Sequence, residues 1–415
     1  MTRYVIVGNG IAGVTAAQAI ARADGGADLH IYGSEPTPYY RRPQLPAYIA
    51  GEVAEKDLLY RPLAWYEQRG IHVHLDSPVA ELDPAAHQVR LADGSAVPYD
   101  RLLLATGGWA WTPPVEGVAR RGFFTLRTLK DARAIRALAP KVRKALVIGG
   151  GLLGLEGARA LRMLGLEVTV LEFADHLMPR QLDREGAAVL EGILREMGVR
   201  VLTGVVTEAV LGDGTVAGVR LKDGRELPAG LILCSAGMRP DTALARQAGL
   251  TVGRGVVVDE RMATGSEDVY AAGDVAEAGG IVYGIIPAAI EQARVAAANM
   301  VHPGSAVYTG TLATTTLKVV GAELTSLGEC VAEDEGLLQL RYADPAAGRY
   351  RKLALRGGRV VGAILLNDRE RVLPARRLIE RGTDVSAHID WLLDTDFDLG
   401  ALVATTGGGG DGETR

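Results

Sequence analysis

The run 147–154, VIGGGLLG, places Gly149, Gly151 and Gly154 in G-x-G-x-x-G spacing, and an acid, Glu172, stands eighteen residues beyond the last of them. Residues of these types in this order suit a dinucleotide. The first glycine allows a tight turn, the second lets bare backbone approach a pyrophosphate, and the third lets a helix pack close to a strand. The phosphates would rest on unpaired N–H groups at the helix N-terminus, where the dipole favours an anion. Glu172 would accept hydrogen bonds from both hydroxyls of an adenosine ribose. A carboxylate there repels a 2′-phosphate, and the next arginine is Arg180, so the pattern predicts NAD rather than NADP.

Such residues need a strand, a helix and a second strand to position them. Residues 145–148 form an apolar run suited to a buried parallel strand, and 152–164 carry apolar residues at helical spacing before Gly165. Residues 168–171 then read as the strand that ends on the acid. The same unit occurs at the start of the chain. A strand at 4–7 leads into Gly8, Gly10 and Gly13 of GNGIAG, a helix runs to about residue 23, and a strand at 29–32 ends near Glu35. The likeness continues beyond the fingerprints. YEQRGIHV at 66–73 parallels REMGVRV at 195–201, and VRLADG at 89–94 parallels VRLKDG at 219–224, each an Asp-Gly hairpin signal. Apolar strands then close on Gly107 and Gly237. The two lobes read as copies of one fold, the second inserted into the first, with Pro113-Pro114 at the crossing. After about residue 308 the pattern changes to short β-rich segments, with a hairpin turning at Gly357-Gly358, a helix near 374–381 and a last segment around Trp391. The expected fold class is α/β, with two Rossmann-like dinucleotide-binding domains and a C-terminal α+β domain.

The totals exclude several classes. A chain of 415 residues, 48% hydrophobic, can bury sizeable cores, and a net charge of −5 argues against a nucleic-acid protein. MTR leads straight into a strand without an apolar signal segment, and no run is long enough to span a bilayer, so the expected location is the cytoplasm, without membrane attachment. The two cysteines, Cys234 and Cys330, are too few and too distant for a disulfide scaffold or a Cys-rich metal site. His72 and His74 alternate along one strand, but no third ligand accompanies them. They read as solvated edge histidines, and no metal is expected.

Four segments carry a family resemblance: VIVGNGIAG at 5–13, PYYRRPQL at 38–45, VIGGGLLGLE at 147–156 and VYAAGD at 269–274. In them the chain resembles the two-dinucleotide-binding-domain flavoproteins, the pyridine nucleotide–disulfide oxidoreductases in the broad sense. It is most similar to NADH:rubredoxin reductases, ferredoxin reductases and the flavin part of the large subunit of NADH-dependent nitrite reductase, over about residues 3–400. The resemblance implies an FAD domain made of 1–112 and 240–307, an NAD domain at 113–239 and a C-terminal interface domain at 308–400, with a disordered tail at 405–415. It implies that Gly8, Gly10 and Gly13 hold FAD, that Glu35 meets its adenosine ribose and Val79 its adenine, and that Thr106 and Gly107 close over it. Asp274 would meet the ribityl chain or pyrophosphate region. Arg42, just before Pro-x-Leu, would stand near the isoalloxazine, where a cation stabilises the anionic reduced ring, with Pro43 packing there. Lys318 would approach the flavin from the interface domain. For NADH the resemblance implies Gly149, Gly151, Gly154, Glu172 and Gly237, with Glu156 on the nicotinamide carboxamide. Relatives carry Ser and then a polar residue where this chain has Pro46-Ala47, which removes a polar contact to the flavin at that turn.

Disulfide reductases of this family need a redox cysteine near the flavin, as C-x4-C or as a single Cys near position 43. This chain has none before Cys234. Reduced flavin would therefore deliver its electrons directly to an outside acceptor. The leading expectation is an NADH-dependent FAD reductase that serves a separate small redox protein: a rubredoxin, a ferredoxin, or an iron–sulfur or haem component of nitrite-reductase type. The nine interface-domain arginines from Arg341 to Arg377 would form its docking surface or an ordinary charged exterior. The alternatives are an NADH oxidase or reductase of a small molecule such as oxygen or a quinone, and a flavin-based redox sensor without significant turnover. Some relatives form homodimers through the C-terminal domain and others do not.

Overall fold

The strand–helix–strand periodicity of the N-terminal stretch becomes Arg3–Val7, the helix Ile11–Ala23 and Asp28–Tyr32 in the computed structural model, which describes residues 1–319, 321–332 and 335–405. The chain divides into two units: Met1–Trp111 with Met238–Thr311, and Thr112–Gly237 with Leu312–Arg415.

The first unit is built on a parallel five-stranded sheet. Its strands lie in the order Val269–Ala271, Arg101–Leu104, Arg3–Val7, Asp28–Tyr32 and Ile71–His74. Register sets Ile6 between Ile31 and Leu103, and all three are fully buried. Burying a side chain of this kind stabilises by about 1.5–3 kcal/mol. Two alanine-rich helices, Ile11–Ala23 and Ile286–Val301, pack against each other; small residues such as Ala12, Ala16, Ala289 and Ala293 on their buried faces permit the close approach. A three-stranded antiparallel meander, Val79–Asp83, Gln88–Leu91 and Ala96–Pro98, completes the unit.

The second unit repeats this plan. Its parallel sheet runs Val199–Leu202, Glu167–Leu171, Lys144–Ile148, Leu231–Cys234 and Phe123–Thr125. Val147 sits between Val170 and Leu233, the counterpart of the Ile6 row, and is equally buried. Its meander is Thr207–Leu211, Gly218–Leu221 and Glu226–Pro228. Both Asp-Gly signals form hairpins: Leu91 N–H donates to Ser95 at 2.9 Å and Leu221 N–H to Arg225 at 2.8 Å. One difference is topological. The outermost strand beside Arg101–Leu104 comes last in the first unit, and that beside Leu231–Cys234 comes first in the second, because the chain enters the inserted lobe at that sheet edge.

The C-terminal residues add an antiparallel five-stranded sheet, Thr314–Val319, Ala322–Gly328, Arg359–Leu366, Arg349–Arg356 and Leu338–Asp344. Gly357 and Gly358, both at positive φ, turn the expected hairpin. The following helix is Arg369–Arg381 and begins five residues before the expected 374, with Pro374 inside it. Proline is favoured at the first helical position, which made it look like a start. Arg371, about one turn upstream of Ala375, is buried and donates to the carbonyls of Leu392 at 2.8 Å and Phe397 at 3.0 Å, a tertiary reason for the earlier start. The expected disordered tail lies outside the described residues from 406 onward; Thr405 ends the helix Leu399–Thr405.

Asp183 joins the C-terminal sheet to the inserted lobe. Its carboxylate caps the helix Arg184–Glu196 through the Gly186 N–H at 3.0 Å, accepts the Tyr350 hydroxyl at 2.7 Å and stands 3.1 Å from the fully buried Lys352 ammonium. Burial raises its pKa, but the Gly186 N–H, Tyr350 and Lys352 outweigh burial and hold the carboxyl below its ordinary value. The resulting stability is present above the unfolded carboxyl's pKa, about 3.9, and is lost as pH falls through the lower folded value. Asp183→Ala is expected to cost about 3–5 kcal/mol in urea denaturation at neutral pH, since it strands a buried cation. Adding Lys352→Met should recover most of that loss; a double variant as unstable as the single one would refute the pairing.

Candidate functional site

Two loops repeat one geometry. Gly8 has φ +118°, and a Cβ there would lie 2.1 Å from the Ala105 carbonyl oxygen; Gly149 has φ +112°, and its Cβ would lie 2.3 Å from the Ser235 carbonyl oxygen. Ala105 follows Arg101–Leu104 and Ser235 follows Leu231–Cys234, in each sheet the strand next to the one that leads into the glycine loop, so each first glycine is pinned by the neighbouring strand end. A Cβ on Gly13 or Gly154 would stand 2.0 Å from the carbonyl oxygen of Gly8 or Gly149. These four positions admit no side chain. The middle glycines differ: a Cβ on Gly10 or Gly151 would meet nothing within 4 Å. Each also caps its helix, Ile11–Ala23 or Leu152–Met163, without a side-chain hydrogen bond to the first turn. Open space, unpartnered N–H groups and a positive dipole end coincide in both loops, which fits a pyrophosphate at each.

The two acids are held in different ways. Glu172 is 9% exposed; its Oε2 accepts the Gly150 N–H at 2.5 Å and its Oε1 the Ala174 N–H at 2.7 Å. Each oxygen keeps a further lone pair for a sugar hydroxyl. Glu35 is held by side chains: it accepts the Tyr40 hydroxyl at 2.7 Å and the Arg42 guanidinium at 2.5 Å. In the structure Arg42 is thus paired with Glu35, the residue at the end of the first unit's second strand.

The remaining expected residues fall around these loops. Asp76 N–H donates to Glu35 O at 3.1 Å and Ser77 N–H to Gly33 O at 2.8 Å, which draws the start of Val79–Asp83 toward Glu35. Thr106 Oγ1 donates to Asp241 O at 2.9 Å, and Asp241 N–H donates to Gly107 O at 2.9 Å, beside the two-stranded ribbon Gly108–Ala110 and Met238–Pro240. Pro43 is exposed in the short turn Arg42–Gln44, followed by Pro46 and Ala47 in the helix Leu45–Ala50. Asp274 is half-buried just past Val269–Ala271, where the Gly273 N–H donates to Gln292 Oε1 at 2.9 Å. Glu156 is half-buried on Leu152–Met163, and Gly237, at φ +119°, ends the second unit's first segment. The side chain of Lys318 lies outside the described residues.

Asn9 escaped sequence reasoning, although it stands inside the first fingerprint. Its Oδ1 accepts the hydroxyl of fully buried Tyr66 at 2.9 Å, while its buried Nδ2 has no partner. A donor in that state at a phosphate-type loop is a further feature that fits a bound cofactor. His74 also departs from expectation. It stands on the edge strand but is half-buried rather than fully solvated: its Nε2 lies 3.0 Å from His30 Nδ1, and burial followed by the neighbouring His30 and His72 lowers its pKa. Among the described residues no group of His, Cys, Asp or Glu could hold a metal ion, and no helix is long and apolar enough to cross a membrane.

Residues 2–299 match the family described as Pyridine nucleotide-disulphide oxidoreductase, and residues 314–383 match the Rubredoxin NAD+ reductase C-terminal domain. The chain belongs to the pyridine nucleotide–disulphide oxidoreductase family. It is an oxidoreductase of the FAD- and NAD(H)-binding kind, in the group of ferredoxin- and rubredoxin-type reductases. Nitrite reductase [NAD(P)H] of Bacillus subtilis (strain 168) is 37% identical over 385 residues, 92% of this chain and 48% of the relative. The chain thus spans about half the length of that relative. The ferredoxin reductase component of chlorobenzene dioxygenase from Cupriavidus sp. (strain PS12) is 36% identical, with 91% of this chain and 92% of the relative covered. Putidaredoxin reductase, in its covalent complex with putidaredoxin, superposes with a TM-score of 0.89 at 28% identity over 98% of this chain and 99% of that one.

Loss of the Glu172 carboxylate removes two charge-assisted acceptors and the repulsion of a 2′-phosphate together. Glu172→Ala should therefore raise the KM for NADH by about tenfold or more and narrow the gap to NADPH. Steady-state kinetics with both nucleotides check this, and unaltered discrimination would refute the ribose role.

Proposed function

We propose that this chain is an NADH-dependent flavoprotein reductase that passes electrons to a separate small redox protein, without a redox-active disulfide. The observation that carries this reading is a pair of dinucleotide cradles in a chain with no cysteine before Cys234. Cys234 and Cys330 both belong to the second unit, neither is in a disulfide, both are buried, and burial raises both thiols above their ordinary pKa. Buried thiols of that kind are poor nucleophiles.

On this reading 1–112 with 240–307 hold FAD, 113–239 hold NADH and 308–400 form an interface domain. Gly8, Gly10 and Gly13 with the first turn of Ile11–Ala23 would receive the FAD pyrophosphate. Glu35 and Arg42 would serve its adenosine end, with Val79, Thr106, Gly107, Pro43 and Asp274 around the rest. Gly149, Gly151, Gly154 and Gly237 would frame NADH, with Glu172 on its ribose and Glu156 on its carboxamide. Bound FAD would supply the exchange between a hydride donor and a single-electron carrier. The protein's part is then orientation and exclusion of water, and neither a general acid nor a general base is required.

The acceptor we favour is a ferredoxin- or rubredoxin-like carrier, or a nitrite-reductase-type iron–sulfur or haem component on another polypeptide. Relatives named as ferredoxin reductase components support a protein acceptor. Of the interface-domain arginines, four are paired with acids: Arg351 with Asp368, Arg356 with Glu329, Arg376 with Glu380 and Arg341 with Asp183, which favours the ordinary charged exterior for these four. A different set is better suited. Arg41 and Arg61 lie 4.3 and 4.0 Å from the Tyr60 ring centroid, and Arg69 lies 4.5 Å from that of Trp65, with no carboxylate in ion-pair range of the three among the described residues. Stacking holds these guanidiniums in place, and an acidic carrier would neutralise them.

Two measurements test the reading. In an anaerobic titration, NADH should bleach a bound flavin spectrum stoichiometrically; a flavin that resists NADH overturns the reading, and rapid NADH oxidation by air alone favours the oxidase instead. With an acidic ferredoxin as acceptor, the rate should fall as salt rises. Arg41→Glu with Arg61→Glu should lower kcat/KM for that carrier by about tenfold or more while ferricyanide reduction persists. A rate independent of salt and of both reversals would exclude docking at these arginines.

A further inference from the structure

His30 stands between two partners on one face of the first unit's parallel sheet. Its Nε2 lies 2.8 Å from Asp28 Oδ1 and its Nδ1 lies 3.0 Å from His74 Nε2. Strand alternation puts Asp28, His30 and Tyr32 on that face, and register sets His30 beside His72 and Tyr32 beside His74. The rings form a ladder: His72 and His74 stack on His30 with centroids 4.9 and 5.3 Å away, and Tyr32 stacks on His74 at 4.4 Å. Asp28 is held in turn by Arg3, whose Nε donates to Oδ2 at 2.6 Å. Asp28, Arg3, Tyr32, His72 and, beyond Arg3, Asp100 are thus the charged and titratable groups that act on the pair.

A contact between two imidazole nitrogens has room for one proton. With both rings neutral, His30 donates to Asp28 and accepts from His74. One added proton is accommodated, because an imidazolium on either ring keeps the contact and Asp28 favours it. A second sets N–H against N–H across 3.0 Å and puts like charges on stacked rings, beside the third imidazole of His72. The backbone of His74 leads directly to the first cradle. His74 O accepts the Gly33 N–H at 2.9 Å, Gly33 O the Ser77 N–H at 2.8 Å and Glu35 O the Asp76 N–H at 3.1 Å. Gly33 is wedged against the glycine loop, since a Cβ there would lie 3.1 Å from Asn9 Cβ. Ile71–His74 is the outermost strand of its sheet, with a strand partner on one side only.

We propose that the His30–His74 contact is an acid-sensitive clasp on the first cradle: uptake of a second proton by the pair parts the end of Ile71–His74 from Asp28–Tyr32 and loosens the turn from Gly33 to Glu35 that holds the adenosine end of FAD. The inference rests on the placement of Glu35 at that end, proposed above. Burial, then His30 and His72, hold the His74 imidazole below its ordinary pKa, which is about 6.5. The fold therefore favours the neutral ring. The clasp is closed above that ordinary value and is lost as pH falls through the lower folded one.

Retention of FAD, read from the flavin fluorescence released when the loaded protein is diluted, tests the clasp without electron transfer, with circular dichroism reporting the fold at each pH. Between about pH 8 and about pH 5 the affinity for FAD should fall by about tenfold. His74→Gln, neutral at every pH, should flatten that course, and His74→Lys should weaken FAD by a similar factor already at the upper pH. His30→Gln serves the same comparison if His74→Gln does not fold. An affinity that is level across the range in the unaltered protein, or a decline that persists in the glutamine variants, overturns the proposal. Glu35→Ala separates it from the reading beneath it. Weaker FAD binding in that variant, with a level pH course in the unaltered protein, retains the adenosine placement and defeats the clasp. Unaltered affinity in Glu35→Ala defeats the placement and the clasp with it.

Discussion

A pyrophosphate can be gripped by bare main chain only where backbone approaches closer than a Cβ permits, and both lobes are arranged around that constraint. Gly8 and Gly13 in one, Gly149 and Gly154 in the other, sit where an added Cβ would lie within 2.3 Å of a carbonyl oxygen. The tight packing of each loop against the neighbouring strand end leaves the helix N-terminus uncapped. Capping by Ser, Thr, Asn or Asp at those positions would help each helix by about 1 kcal/mol but would occupy the N–H groups that an anion needs. The fold thus forgoes local helix stability at the two loops whose geometry suits a pyrophosphate, and the buried parallel strands on either side supply the rigidity.

Repetition of a fold does not repeat its chemistry. Glu172 is oriented by two backbone N–H groups, whereas Glu35 is oriented by Tyr40 and Arg42. A carboxylate on main-chain donors is neutralised only by partial charges, so it still rejects a second phosphate. A carboxylate paired with a guanidinium is nearly neutral as a unit and tolerates phosphates close by. The first arrangement suits a site that must discriminate between nucleotides and release them. The second suits one that retains a cofactor. Asn9, tied to Tyr66 across fifty-seven residues, adds a further anchor to the first lobe that has no counterpart at Gly150.

Among the contacts that hold the C-terminal sheet to the inserted lobe, one carboxylate has two tasks. Asp183 begins a helix and also receives Tyr350 and Lys352, so the cap of Arg184–Glu196 and the docking of the sheet are a single event. A fully buried lysine is expensive without its partner, which makes this contact specific rather than merely adhesive.

The sequence by itself determined both dinucleotide units, their acids, the insertion of one lobe in the other and the hairpins after each Asp-Gly, because glycine spacing and strand periodicity are local properties. It also determined that no cysteine precedes Cys234. Only the tertiary structure decided the partner of Arg42, since the six residues between Glu35 and Arg42 can turn in many ways and burial selects one. The same holds for the helix that begins before Pro374, which depends on carbonyls twenty-one to twenty-six residues downstream of Arg371. Charge pairing has a related origin: composition counts charges, but only folding brings Asp368 to Arg351 and stacks Arg41, Arg61 and Arg69 on rings, with no acid in ion-pair range among the described residues. Local pattern dictates where backbone must come close; long-range packing dictates which charges remain to meet a partner.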